Sequence, residues 1–388
     1  MATEQGAFWA DVLAQDRVVT ALQHAIQRQR VAHAYLLYGP QGVGKKAVAL
    51  AFARTLQCMH LTAKGEACGA CDACVKARHL SHPDIHVMFP YPADGKADDV
   101  QARYALLAEN PYVEIDYARR PELDQLEHAS TRQAFYPVAR INEELKPLVS
   151  MRPFEGRYKV IVMLEADRLR IEAANALLKI LEEPAPYTVF ILTTSRIDRI
   201  LPTILSRCQQ FRLDPLPEEV ISQALMVQEN IPEEQAWLIA RMADGSYTRA
   251  LELLQNEMLL HRRELVVQWL RELYRGATPR LLDLQEELVS LGRGALIEFL
   301  QLVLLWIRDL ILYRETRQTD RLLNRDQIAI IERFCTRVPE AQLEEMIALI
   351  ESAMVQLHRN IQPRLVMAVL AQHLHKAIRG VLRERVIL

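Results

Sequence analysis

Tyr38-Gly39-Pro40-Gln41-Gly42-Val43-Gly44-Lys45-Lys46-Ala47-Val48-Ala49-Leu50 is the stretch around which the chain is organised. The apolar run Ala34 to Tyr38 reads as a strand, and Ala47 to Leu56 reads as the helix that follows. Between them, Gly39, four residues and then Gly44-Lys45 have the spacing of a phosphate loop. Such a loop wraps phosphates with backbone N–H groups, its lysine reaches the outer phosphates, and the helix N-terminus adds favourable partial charge. Gly39, Gly42, Gly44, Lys45 and Lys46 are therefore the candidate nucleotide contacts. The residue after Lys45 should be Ser or Thr, whose hydroxyl ligates magnesium. It is Lys46, which has no oxygen to donate.

A second part of the same metal site is absent. Arg157 to Leu164 reads as a buried strand, and a nucleotide hydrolase needs a magnesium-holding Asp at the end of such a strand, followed by a Glu that activates water. Here the pair is Leu164-Glu165. Asp167 lies two residues further on and reads as a cap for the next helix. Magnesium is not expected in this site. ATP or ADP binding without hydrolysis stays open, with Lys46 either neutralising phosphate charge or filling the pocket.

Working outward, Cys58, Cys68, Cys71 and Cys74 follow the first helix at a spacing that suits a structural zinc ion held by four thiolates. His60, His79 and His82 are nearby, but four cysteines already complete the shell. Residues 83–89 read as a strand. Residues from about 90 to 137 are too long for an ordinary connection and read as a partly helical insertion of unassigned purpose. Arg119 and Arg120 within it read as part of a solvated charged face, with contact to a phosphate backbone as the sharper alternative. Ala173 to Glu182 reads as a helix ended by Glu183-Pro184, and Thr188 to Thr194 as another buried strand. Phe211 to Leu213 completes the sheet edge. Apolar strands alternating with helices imply an α/β fold with a mostly parallel sheet covered on both faces.

From Pro217 no strand pattern of any length recurs. Residues 218–262 read as three short helices and 263–388 as longer amphipathic ones. Three domains are expected: 1–215 with the cysteine module at 58–74, a small helical lid at 216–262, and an all-helical domain at 263–388. With 388 residues, half of them apolar, and a net charge of -2, the composition is that of a soluble globular protein, and any nucleic-acid surface must be local. Phe299 to Ile311 is short for a bilayer span and contains Arg308 and Asp309, so no membrane is expected. The N-terminus lacks the ordered regions of an export signal, so the expected compartment is the cytoplasm.

These motifs together resemble the clamp-loader AAA+ family, specifically the bacterial DNA polymerase III delta-prime and gamma/tau subunits. The resemblance rests on His33-Ala34-Tyr35-Leu36-Leu37, the phosphate loop with the cysteine module after it, His82-Pro83-Asp84, and Arg152-Pro153-Phe154-Glu155-Gly156-Arg157-Tyr158-Lys159-Val160. It continues through Glu165-Ala166-Asp167-Arg168-Leu169, Asn175-Ala176-Leu177-Leu178-Lys179, Leu181-Glu182-Glu183-Pro184 and Thr203-Ile204-Leu205-Ser206-Arg207-Cys208. It covers most of residues 15–255. It implies an AAA+ domain, a lid and an oligomerising collar, in a ring that opens the sliding clamp and places it on primer–template DNA in the replisome. Gamma/tau-type and delta-type subunits are the implied partners. Lys45 matches the phosphate-binding lysine and Glu165 the water-activating glutamate, here vestigial. Thr194, or Thr193 beside it, matches the first sensor, and Arg249 lies near the second. Arg207 matches the arginine finger that reaches a neighbour's nucleotide. With Lys46 and Leu164 in place of metal ligands and Arg207 intact, the resemblance implies a non-hydrolysing delta-prime-like member. A hydrolysing gamma/tau-type motor is the alternative, and a zinc-bearing nucleic-acid-binding protein a more distant one.

Overall fold

The computed structural model describes residues 8–92, 96–117, 119–120, 123, 134–255, 259–276, 278–319, 322–324 and 327–381. Much of the expected insertion, residues 121–122 and 124–133, lies outside them. Five parallel strands form one sheet in the order β2-β3-β4-β1-β5. They are β1 (Ala34–Tyr38), β2 (Ile85–Met88), β3 (Lys159–Met163), β4 (Thr188–Thr194) and β5 (Gln209–Arg212). The three central strands are apolar on both sides because both faces are covered. Tyr35 and Leu37, Val160 and Val162, and Val189 and Ile191 enter one core. Ala34 and Leu36, Ile161 and Met163, and Phe190 and Leu192 enter the other. This is the period-2 alternation of a strand, with both phases buried.

Of the early helices, α1 (Asp16–Gln27) and α2 (Lys45–Leu56) add Leu22, Val48 and Phe52 to the first core. The short α3 (Asp72–Arg78) carries the last cysteine of the module, Cys74, and α4 (Ala97–Glu109) opens the insertion. A turn of π-helix at Arg140–Leu145 leads into α5 (Lys146–Ser150), and α6 (Ile171–Glu182) covers the second core with Ala173 and Leu177. The one-turn α7 (Pro202–Leu205) precedes β5.

Asp84, fully buried at the start of β2, accepts the backbone N–H groups of Phe154, Glu155 and Gly156 at 2.7–2.9 Å. Burial works to raise its pKa, but these three donors hold it below the usual carboxylate value. The anchored loop presents Phe154 to solvent, 84% exposed.

Beyond β5 the described residues are helical: α8 (Glu218–Gln228), α9 (Glu233–Met242), α10 (Tyr247–Gln255), α11 (Leu259–Arg275), α12 (Pro279–Ser290), α13 (Arg293–Thr316), α14 (Ile328–Arg337), α15 (Leu343–His358) and α16 (Pro363–Ile378). The chain separates into two compact units, one running to Ala224 and including Ala243–Glu252, the other comprising Leu225–Met242 and the residues from Leu253 onward. The stretch expected to form a separate lid is thus divided. Residues 243–252 go with the sheet because they bond to the phosphate loop, Tyr247 N–H donating to the Gly42 carbonyl at 3.0 Å. In the second unit Trp269, Phe299, Ile307 and Leu370 are buried among α11, α13 and α16. Among the described residues no helix is long and apolar enough to cross a membrane.

Candidate functional site

The carboxyl ends of β1, β3 and β4 bring the phosphate loop, Glu165 and the Thr193-Thr194 pair to one place, the edge of a parallel sheet where ligands bind. The loop has its expected backbone. Gly39, Gly42 and Gly44 have φ of 152°, 74° and 100°, and Gly44 stands at the N-terminus of α2. A side chain at Gly39 would run into the Leu213 carbonyl.

The side chains are engaged differently from a loop that grips phosphate. Lys45 Nζ donates to the Gly39 carbonyl at 2.9 Å and to that of Pro40, so its ammonium is folded onto its own loop. Burial pushes its pKa down to about 8, against the opposing pull of Glu165. Lys46 Nζ donates to the Val113 carbonyl at 2.6 Å. Leu164 is buried, and its carbonyl accepts from the Tyr136 hydroxyl at 2.7 Å.

Glu165 has φ of 51°, its N–H donates to Thr193 Oγ1 at 3.1 Å, and its carboxylate lies 3.7 Å from Arg119 and 3.8 Å from Arg168. Burial first, and then Asp116, push its pKa up to about 8. Asp167 does not cap α6, whose N-cap is Arg170. Instead Asp167 Oδ1 accepts from Thr194 Oγ1 at 2.6 Å, because the 3-10 turn Ala166–Arg168 carries it toward β4.

The insertion supplies the residues that the sequence reading missed. Tyr112 Oη lies 2.9 Å from where a β-carbon on Gly44 would stand, and it accepts the Leu13 N–H at 2.9 Å. Glu114 accepts from Gln41 Nε2 and Arg119, both at 2.8 Å. Asp116 accepts from Arg168 at 3.0 Å. Arg119, expected on a solvated face, is turned into this cluster because four carboxylates gather there: Glu114, Asp116, Glu165 and Glu252. Arg120 bonds the Leu123 carbonyl at 3.1 Å. Thr248 Oγ1 donates to the Tyr112 carbonyl at 2.6 Å. The one local sequence signal for this turn is the Asn110-Pro111 pair, a dipeptide that favours turn initiation.

Compared with known families, residues 14–217 match the family described as "DNA polymerase III, delta subunit". The chain belongs to that family. A bacterial clamp-loader AAA+ assignment agrees with its curated relatives. It is 33% identical over 262 residues to the tau/gamma subunit of Haemophilus influenzae, a match covering 66% of this chain and 32% of that one. It therefore spans about a third of that relative's length. To the delta' subunit of Bacillus subtilis it is 26% identical over 349 residues, 89% of this chain and 92% of that one. A DNA polymerase III gamma subunit-related protein of known structure from Thermotoga maritima aligns with 92% of this chain and 100% of its own, at 14% identity and a TM-score of 0.39. The relatives thus include both delta' and tau/gamma subunits.

The remaining candidates of this clamp-loader family member lie elsewhere. Arg207, just past α7, donates to the Thr203 carbonyl and to Glu182, each at 2.9 Å, and does not line the phosphate-loop cavity. Arg249 does not line that cavity either; Thr248 does. Its charge instead opposes burial and Glu114, which push Glu252 up to about 7. The sulfurs of Cys58, Cys68, Cys71 and Cys74 lie within 4.8 Å of one another, Cys68 and Cys74 at 3.9 Å. A zinc tetrahedron with bonds of about 2.3 Å has edges of about 3.8 Å, so the donor set fits that ion. His82 is not part of it: Nδ1 accepts the Asp84 N–H at 3.1 Å, and Nε2 is 3.7 Å from Glu155.

Proposed function

We propose that the chain is a delta-prime-type clamp-loader subunit that does not hydrolyse ATP and lends Arg207 to a neighbouring subunit's nucleotide. The observation that carries this reading is the engagement of Lys46, which stands where a magnesium hydroxyl belongs and is bonded to the Val113 carbonyl at 2.6 Å. Leu164 offers no side-chain oxygen to a metal. Glu165 is already engaged, with Arg119 at 3.7 Å and Arg168 at 3.8 Å, and burial and Asp116 raise its pKa. Arg207, by contrast, retains about a third of its side-chain exposure and is tied to the surface by short polar contacts that exchange readily for phosphate oxygens. Positive charge placed where phosphoryl charge develops lowers the barrier in the neighbour's site.

Partners of gamma/tau and delta type, the sliding clamp and primed DNA follow from this reading, as does a place in the cytoplasmic replisome. The purified chain should show no magnesium-dependent ATPase activity. Mixed with the same organism's gamma-type and delta-type subunits, clamp and primed DNA, it should support ATP hydrolysis that Arg207→Ala lowers without disrupting assembly. Robust activity of the chain alone, lost in Lys45→Ala, would make it a motor.

The four thiolates hold a structural zinc ion in this reading, closing the loop between α2 and α3 and leaving no coordination position for substrate. Metal analysis should find about one zinc per chain. Cys74→Ser should lose it, with faster proteolysis confined to residues 58–78.

A further inference from the structure

The phosphate loop and the segment 110–117 fit one another closely. The Tyr112 ring is 4% exposed, stands edge-on to Tyr247 at 5.1 Å, and places its hydroxyl against Gly44, the glycine at the head of α2. Glu114 puts a carboxylate on the loop's own Gln41 and satisfies it further with the N–H groups of Ile115 and Asp116 at 3.0 Å. Gln41 is the loop's contact with this carboxylate, whose other donors, Ile115, Asp116 and Arg119, belong to the insertion itself. The segment is fastened at three other points: Leu13 N–H to the Tyr112 hydroxyl, Thr248 to the Tyr112 carbonyl, and Lys46 to the Val113 carbonyl. What remains between loop and segment is a cavity of about 30 Å³. That is room for roughly one water molecule, whereas ligand pockets run to about 300 Å³ and more.

The backbone of the cradle behind the segment is nevertheless in place. Its three glycines keep the conformation that aims backbone amides at a ligand, and the N–H groups of Val43 and Gly44 donate to no group among the described residues.

We infer that residues 110–117 are a built-in plug, with Tyr112 and Glu114 its closing residues, and that a nucleoside polyphosphate enters this cradle only when the plug swings out. Tyr247 N–H holds 243–252 to Gly42 of the loop, so the plug can swing out only by breaking its bond to Thr248. An occupied cradle would release Thr248. This goes beyond the proposed function and does not depend on Arg207. It is tested on the isolated chain, so its failure and the failure of the finger assignment are separate results.

The test is calorimetric titration of the full chain with ATP, with and without magnesium. A site whose open form is rarely populated has its affinity reduced by that fraction. Tyr112→Ala combined with Glu114→Gln should therefore bind ATP at least about tenfold more tightly than the unaltered chain. Adding Lys45→Ala should abolish the gain. Hydrogen exchange on the unaltered chain gives an independent reading: ATP at saturating concentration should speed exchange at Leu13 and at 112–116 together. Equal affinities in the folded double variant and the unaltered chain would overturn the inference. So would saturation of the unaltered chain with those amides still protected. If the double variant does not fold, Glu114→Gln alone and the exchange experiment decide between the same two results.

Discussion

Two regions of this molecule, the phosphate loop and the surface around Arg207, treat their charged groups in opposite ways. At the phosphate loop every charged group is spoken for: Lys45 by the loop carbonyls, Lys46 by Val113, and Glu165 by arginines at 3.7 and 3.8 Å. At Arg207 the guanidinium has a half-exposed carboxylate and a carbonyl for partners and is open to solvent. The difference is one of desolvation. A buried charge with several partners is costly to redirect, whereas a surface pair contributes little and can be exchanged. The proposed function, serving a neighbour's chemistry, calls for the second arrangement at Arg207 and for no metal at the phosphate loop.

The contrast breaks first at Arg207. If it is the finger, Arg207→Ala should slow hydrolysis at the neighbouring site by a factor on the order of 10³, read in single-turnover ATPase assays of the assembled loader. A change of less than about twofold would return Arg207 to the status of a surface ion pair.

Glu165 tests the closed side. Its pKa is raised on folding, so the folded chain binds a proton that the unfolded chain has released. Stability from this group is therefore fully present below about pH 4.5 and is lost as pH rises through about 8. Glu165→Gln should flatten the fall of melting temperature between those limits, measured by thermal melts at stepped pH. A melting temperature that rises with pH in the unaltered chain, and more weakly in the variant, would reverse the assignment.

The smallest effect is expected at Glu182. Glu182→Gln should cost no more than about 0.5 kcal/mol of stability, because both partners of the pair are at least a third exposed. Loader activity should stay near that of the unaltered chain. A large loss would mean that Glu182 aims the arginine and does not merely park it.

The sheet was legible because each central strand is a short apolar run buried on both faces, and the loop because its glycines stand at fixed offsets between strand and helix. The cysteine module was legible for the same reason: four ligands of one type lie within 17 residues of chain, and the structure gathers their sulfurs. What the sequence did not disclose is carried by contacts of another kind. Tyr112 reaches Leu13 across 99 positions and Thr248 across 136, and two of the plug's fastenings are backbone carbonyls, which every residue possesses. No periodicity or motif marks such contacts. Asp167 and Arg119 were misjudged because the bend after β3 and the gathered carboxylates are tertiary facts.

The distance from Tyr112 to Thr248 also sets an order of events in the cell. Chain synthesis proceeds at about 5–20 residues per second, so the loop, α2 and Tyr112 leave the ribosome roughly ten seconds before Thr248 exists. Through that interval the contact that locks the Tyr112 carbonyl cannot form, and a nascent chain holds its plug with one fastening missing. Closure is completed only when translation reaches the helix beyond Gly245. The sealed state is thus acquired late, from a helix made well after the loop it closes.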